Sequence, residues 1–231
     1  MDIILIPGFW LDASSWDRVV PALERAGHRV RALTLPGLEP GAADRGLVTR
    51  RDHVDAVLAA VDEADGPVVL VGHSGGGALA YAVADARPDR IARVVYVDSG
   101  PLGPGQSIND ELPVVDGEIP LPDWSAFTEE ELRDLDDELR AQFRARAVPQ
   151  PAAVATEPQV LGDARRYDVP ATIVCCEFTA AQIQEWLAQG APFVAELAAL
   201  RDVEYVDLPT GHWPQFTRPD ELAQAILAAA R

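Results

Sequence analysis

Along the chain, short apolar runs alternate with longer stretches in which apolar side chains recur every three or four positions. Ile3–Ile6, Val68–Val71, Ile91–Asp98 and Ala171–Cys176 are short runs dominated by β-branched and other apolar residues, the pattern of strands covered on both faces. Arg29–Leu35 and Val203–Leu208 read as further strands. Between them lie helical patterns. Trp16, Val19, Val20, Leu23 and Ala26 share one face, and Gly27 ends that stretch at a C-cap position. His53–Ala64 carries Val54, Val57, Leu58 and Val61 on one side, and a helix from about Gly76 to Ala86 is closed by Pro88. Ala180–Ala188, Pro192–Leu200 and Pro219–Ala230 complete the set. Strand, loop and helix in this repeated order predict an α/β fold, a doubly wound and mostly parallel sheet with helices on both faces.

The rhythm stops between Ser99 and Val169. That stretch is rich in proline and acid, with one helix expected at about Glu129–Ala147 and no strand. It is too long for a plain connection. The expected organisation is therefore a core of residues 1–98 and 170–231 with residues 99–169 inserted as a lid.

Composition narrows the function. The only basic side chains besides four histidines are 19 arginines, set against 37 acidic residues, for a net charge of −18. With no lysine, a Schiff-base mechanism and a phosphate-loop lysine are both excluded. No basic stripe exists to displace counterions from DNA or RNA, so no nucleic-acid partner is expected. No apolar run approaches the roughly 20 residues of a membrane helix, and the start, MDIILIPG, lacks the basic flank of a signal peptide. The two cysteines, Cys175 and Cys176, are adjacent, poor geometry for a disulfide. They read as small buried side chains of a reduced, cytoplasmic protein. No His, Asp, Glu or Cys cluster has metal-ligand spacing, so neither metal nor cofactor is expected.

The chemistry gathers at Gly72-His73-Ser74-Gly75-Gly76, a G-x-S-x-G sequence directly after a valine-rich strand and directly before a helix. A sharp strand-to-helix turn strains the central residue, and glycines two positions on either side avoid a collision of side chains. Ser74 then stands at a helix N-terminus as a nucleophile. A serine hydroxyl needs a base. Of His28, His53, His73 and His212, only His212 lies in a loop just after the last strand, where open α/β sheets place their sites. His73 sits inside the turn, while His28 and His53 read as structural or solvated. Backbone N–H groups of Gly75 and of Phe9, in the loop after the first strand, are the expected oxyanion donors.

Elbow, terminal histidine and insert together resemble the α/β-hydrolase superfamily along essentially the whole chain. More narrowly, the chain resembles small bacterial esterase-like hydrolases related to plant methylesterases and hydroxynitrile lyases. Val95-Tyr96-Val97-Asp98 with Pro101 and Gly105, Pro149-Gln150-Pro151, and Gly211-His212-Trp213-Pro214 carry that likeness. The resemblance implies a Ser-His-acid triad that cleaves a small carboxylic ester through an acyl-enzyme. Many members place the acid shortly after the strand that follows the lid, where this chain has Thr179. Asp98, ending the strand after the elbow helix, matches an alternative acid position, and Glu177 is the rival. Asp98 is favoured because its strand should lie beside the elbow strand and its side chain is short; a turn-capping role would also suit it. Asp207 reads as structural. Trp10, Trp124, Phe127 and Trp213 are candidate pocket residues, although Trp124 and Phe127 could equally anchor the lid. The acidic run Glu129–Glu131, Asp134 and Asp136–Glu138 would repel anions, favouring a neutral small-molecule substrate. The resemblance leaves lyase-like, haloperoxidase-like and ligand-receptor roles as alternatives. The absent lysine weighs against the lyase.

Overall fold

In the computed structural model, which describes residues 1–231, strand β1 (Asp2–Ile6) leads through a 3-10 turn to helix α1 (Val20–Arg25) and strand β2 (Arg29–Ala32). Helix α2 (Arg50–Asp62), strand β3 (Val68–His73), helix α3 (Gly75–Ala86) and strand β4 (Ile91–Val97) follow. The next stretch holds β5 (Glu118–Ile119), α4 (Asp137–Arg146), β6 (Gln150–Pro151) and α5 (Ala152–Thr156). Strand β7 (Ala171–Cys175), helices α6 (Ala180–Ala188) and α7 (Ala195–Ala199), strand β8 (Val203–Asp207) and helices α8 (Pro214–Thr217) and α9 (Pro219–Ala229) complete the chain.

Six strands form one sheet in the order β2-β1-β3-β4-β7-β8, and every neighbouring pair is parallel. Their C-terminal ends therefore share one edge. The strand sequences read as continuous apolar runs because alternate residues serve two different cores. Ile4, Ile6, Leu70 and Tyr96 point to the side covered by α2 and α3. Ile3, Leu5, Val69, Val71, Val95 and Val97 point to the side of Trp16, Leu23, Leu222 and Ile226, covered by α1 and α9. Each such side chain moved fully out of water contributes about 1.5–3 kcal/mol. A third cluster, with Trp10, Phe143, Ile119 and Trp213, lies between the C-terminal edge of the sheet and residues 99–169.

Differences from the sequence pattern have local causes. Helix α2 begins at Arg50 rather than His53, because Thr49 and Asp52 form a reciprocal capping box. The stretch 99–169 does contain strands: β5 pairs antiparallel with β6, two residues each, too short to leave a periodic signal. The helix expected over Glu129–Ala147 is confined to Asp137–Arg146, where Asp136 caps it. Residues before it form turns, and Asp134 takes a left-handed conformation (φ 63°) that breaks the helix. The carbonyls of Glu131 and Arg133 instead accept hydrogen bonds from the backbone N–H groups of His212 and Gly211. The Pro192–Leu200 helix is split into a 3-10 turn at Pro192–Val194 and α7. No helix is long and apolar enough to cross a membrane.

Candidate active site

The β3–α3 turn places Ser74 at φ 51°, ψ −124°, outside the ordinary regions for a residue with a side chain. Tight contacts hold it there. A Cβ on Gly72 would lie 2.5 Å from the Gly76 carbonyl oxygen, and one on Gly76 would lie 2.7 Å from those of Ile6 and Pro7. Both positions therefore exclude any side chain. The Ser74 N–H donates to the Val97 carbonyl at 3.1 Å, and the Ser99 hydroxyl donates to the Ser74 carbonyl at 2.7 Å. The turn is thus tied to the end of β4 on both sides of the serine.

His212 arrives on the loop after β8, held by its N–H to the Glu131 carbonyl at 2.8 Å. Its Nε2 lies 2.8 Å from Ser74 Oγ, and its Nδ1 lies 2.7 Å from Asp98 Oδ2. Beneath it, His73 Nε2–H donates to the His212 carbonyl at 2.7 Å, while Gln215 donates to His73 Nδ1 at 3.2 Å. That pairing defines one tautomer of His73. Burial and the neighbouring His212 push its pKa down to about 3, so it stays neutral.

Asp98 follows β4 at φ 44°. Its other oxygen, Oδ1, accepts the backbone N–H groups of Cys176 (3.1 Å) and Glu177 (3.0 Å) at the end of β7. Glu177 also converges, with Oε1 2.7 Å from the same Nδ1 of His212. Only the Asp98 contact has hydrogen-bond geometry; the Glu177 contact is an ion pair of equal length. Burial opposes ionisation of Asp98, but its bonds to His212 and its neighbours outweigh that and hold its pKa at about 2. Burial, joined by the Asp98 carboxylate, raises Glu177 to about 7 despite the offset from His212. Burial disfavours the His212 imidazolium, yet Asp98 and then Glu177 outweigh it and raise the pKa to about 10. The three ligand atoms lie within 4.8 Å of one another. A divalent cation there would have to displace the Nδ1 proton, so cation binding and a protonated Nδ1 exclude each other.

The loop after β1 lies against the turn: a Cβ on Gly8 would meet His73 Nδ1 at 2.6 Å and Ser74 Cβ at 3.0 Å. That brings Phe9 beside Ser74, and neither Phe9 nor Gly75 spends its backbone N–H on a hydrogen bond within the fold. Of the six non-glycine residues with positive φ, Trp10, Ser74 and Asp98 meet in this region. Backbone strain is concentrated where the polar groups converge.

Other candidates separate clearly. His53 is buried, its Nε2 bonded to the Pro36 carbonyl at 2.8 Å, and His28 leads into β2 at the opposite end of the sheet from Ser74. Thr179 caps α6 through a box with Gln182, and Asp207 accepts the Ala180 N–H at 2.7 Å; both are structural. Cys175 and Cys176 are buried and unpaired. Trp10, Trp124, Phe127 and Trp213 are brought together, but largely against one another: Phe127 and Trp213 stack edge-on at 5.4 Å, Trp124 and Phe127 lie 5.6 Å apart, and Trp10 and Phe127 5.9 Å. None of the four lines the cavity of about 490 Å³ that reaches His212. That cavity lies on the Nδ1 side, between Pro101, Glu177, Phe178, Ile183, Trp186 and Phe193. Its aromatics Phe178, Trp186 and Phe193 lie outside the candidate residues of the sequence, where their only signal is their spacing around Glu177 and along α6.

This parallel sheet with a strained serine turn defines a known class. The model of the α/β hydrolase family matches residues 3–225, and the chain belongs to that family. Among curated proteins, it is 37% identical over 118 residues to the pyrethroid hydrolase of Sphingobium wenxiniae, covering 51% of this chain and 41% of that protein. It is 33% identical over 114 residues to the carbendazim hydrolyzing esterase of a Nocardioides species, covering 48% and 47%. Methylesterase 9 of Arabidopsis thaliana matches at 27% identity over 259 residues, 98% of this chain and 97% of that protein. The chain spans less than half the length of the first curated relatives it matches. An extracellular α/β-hydrolase from a Paenibacillus species superimposes with a TM-score of 0.79 at 24% identity, covering 99% of this chain and 98% of that one. At that identity the likeness speaks for the fold alone.

Proposed function

We propose that this protein is a serine esterase acting on small neutral carboxylic esters. The observation that carries the reading is the continuous chain from Ser74 Oγ through His212 to Asp98, with contacts of 2.8 and 2.7 Å. In this reading the Ser74 oxygen attacks the ester carbonyl carbon as His212 Nε2 takes its proton. Asp98 keeps the Nδ1–H tautomer oriented and stabilises the imidazolium. The oxyanion is held by the N–H groups of Phe9 and Gly75, in the dipole field of α3. The imidazolium then gives its proton to the departing alkoxide as the carbonyl re-forms, leaving an acyl-serine. Water, deprotonated by His212, attacks that acyl group, and the carboxylic acid and free Ser74 result.

Residues 99–169 serve as a lid in this scheme, since their turn carbonyls at Glu131 and Arg133 anchor the His212 loop. The exposed acids of that segment disfavour carboxylate-bearing substrates near Ser74. The two unpaired buried cysteines fit a reducing compartment such as the cytoplasm. Labelling by a fluorophosphonate, lost in Ser74→Ala, together with multiple turnovers of short-chain esters, tests the function. Labelling that persists in Ser74→Ala refutes the nucleophile. Stoichiometric acylation without turnover refutes the esterase.

A further inference from the structure

We propose that Trp10 is a positioning residue for the oxyanion hole, fixing the Phe9 N–H beside Ser74 while the β5–β6 hairpin of the inserted segment fixes Trp10; this rests on the esterase reading. Backbone conformation is the first observation. Trp10 stands at φ 63°, a region that a bulky residue leaves unless its surroundings hold it. Its side chain is buried in the cluster shared between the sheet edge and the insert.

Two hydrogen bonds hold the residue, and both come from the insert. The indole N–H donates to the Ile119 carbonyl of β5 at 3.0 Å. The Trp10 carbonyl accepts the Val148 N–H at 3.0 Å, two residues before β6. A left-handed conformation costs a residue with a Cβ about as much as one such bond gains. Both bonds together outweigh that cost; either alone only offsets it.

Position links Trp10 to the reaction. Phe9 has a fixed neighbour on each side: Gly8 is wedged against His73 and Ser74, where a Cβ would meet His73 Nδ1 at 2.6 Å, and Trp10 is pinned to the insert. The Phe9 ring lies over Gly75, whose Cβ would fall 2.7 Å from Phe9 Cε1. Between these constraints the Phe9 N–H has no partner within the fold. An oxyanion donor works by preorganisation, since its direction must be set before charge develops. That direction is set here by a bond spanning 109 positions of the chain. The inserted segment thereby acts on the chemistry at Ser74 and not only on access to it.

The test uses Trp10→Phe and, so that packing is kept, replacement of Trp10 by benzothienylalanine, which exchanges only the indole N–H for sulfur. Both should lower kcat for a short-chain ester by about fivefold or more, part of the roughly 10²–10³ that loss of a whole donor costs, with KM changed less than about threefold. A trifluoromethyl ketone is attacked by Ser74 Oγ, whose proton passes to His212, and gives a hemiketal whose oxygen occupies the same hole. Its inhibition constant should therefore rise by a similar factor. The rising limb of the pH profile should stay in place, because His212 and Asp98 keep their contacts; a general loosening of the site would move it. A smaller loss of kcat in the benzothienylalanine variant overturns the proposal. So does a loss with the ketone bound as before, or with the limb displaced. If the wild type hydrolyses no ester, the esterase reading has failed, and Trp10 is judged from crystal structures of the wild type and the benzothienylalanine variant. A Phe9 N–H displaced from Ser74 then supports the positioning role, and a superimposable loop Pro7–Asp12 overturns it.

Discussion

Replacing Glu177 by glutamine removes one of two carboxyl groups that lie 2.7 Å from Nδ1 of His212 and preserves its size. Together with Asp98, Glu177 lifts the imidazolium pKa from the usual 6.5 to about 10, against the opposing effect of burial. Only neutral imidazole can accept the Ser74 proton, so the rising limb of kcat/KM against pH should lie on the alkaline side. Glu177, raised to about 7, is ionised throughout that region. Its removal destabilises the imidazolium, so the limb moves to lower pH. If the glutamate supplies somewhat under half of the rise, the displacement is about 1–2 pH units, equivalent to about 1.4–2.7 kcal/mol. Initial rates by pH-stat on a short-chain ester would measure it directly. A limb that stays in place or moves to higher pH refutes the reasoning. So does a fall of about 10⁴ in kcat at every pH, the result expected instead of Asp98→Asn if Asp98 orients the imidazole.

Ser74→Ala should abolish turnover while leaving the melting temperature within a few degrees of wild type, as read by thermal denaturation and ester hydrolysis on the same preparation. Gly76→Ala forces a Cβ to 2.7 Å from two backbone carbonyls, so a loss of about 1–3 kcal/mol is expected; an unchanged melting temperature would show that the turn can relax. Burial holds His53 at about 4 and His73 at about 3, below the ordinary 6.5. The unfolded chain therefore takes up these protons first as pH falls. The stability from burying each neutral ring is complete above about 6.5 and is lost on descent toward pH 4 and 3, by about 3 kcal/mol for His53. His53→Gln keeps a donor for the Pro36 carbonyl and should flatten the dependence of urea midpoints on pH between about 6.5 and 4; a curve identical to wild type would contradict the assignment of that ring.

What was legible in the sequence, and what was not, follows from the range of the interactions involved. Strands β1, β3, β4 and β7 declare themselves because each is buried on both faces, which leaves a local run of apolar residues. The Ser74 turn is legible through its G-x-S-x-G spacing, although only Gly72 is required by a local contact, with the Gly76 carbonyl; Gly76 itself is required by the carbonyls of Ile6 and Pro7 at the end of the neighbouring strand. His212 was found by its place after the last strand, which topology alone supplies. The choice between Asp98 and Glu177 had no such local signature. The chain brings both to Nδ1 because β4 and β7 are neighbours in the sheet, a pairing across about 80 positions that no spacing rule encodes. The truncated helix before Asp137 failed for the same reason: Glu131 and Arg133 have helix-forming side chains, but their carbonyls are claimed by Gly211 and His212 from the far end of the chain. The aromatic lining of the cavity is the third instance. Trp186 occupies an ordinary core position of an amphipathic helix and packs against the main core, and only the tertiary arrangement reveals that it also borders the cavity beside His212. The helix reading failed where a local preference was overruled by a distant partner, at Glu131–Arg133, and that overruling converges on His212, where Asp98 and Glu177 also meet. The side chain easiest to locate from topology is therefore the one whose surroundings depended most on the fold.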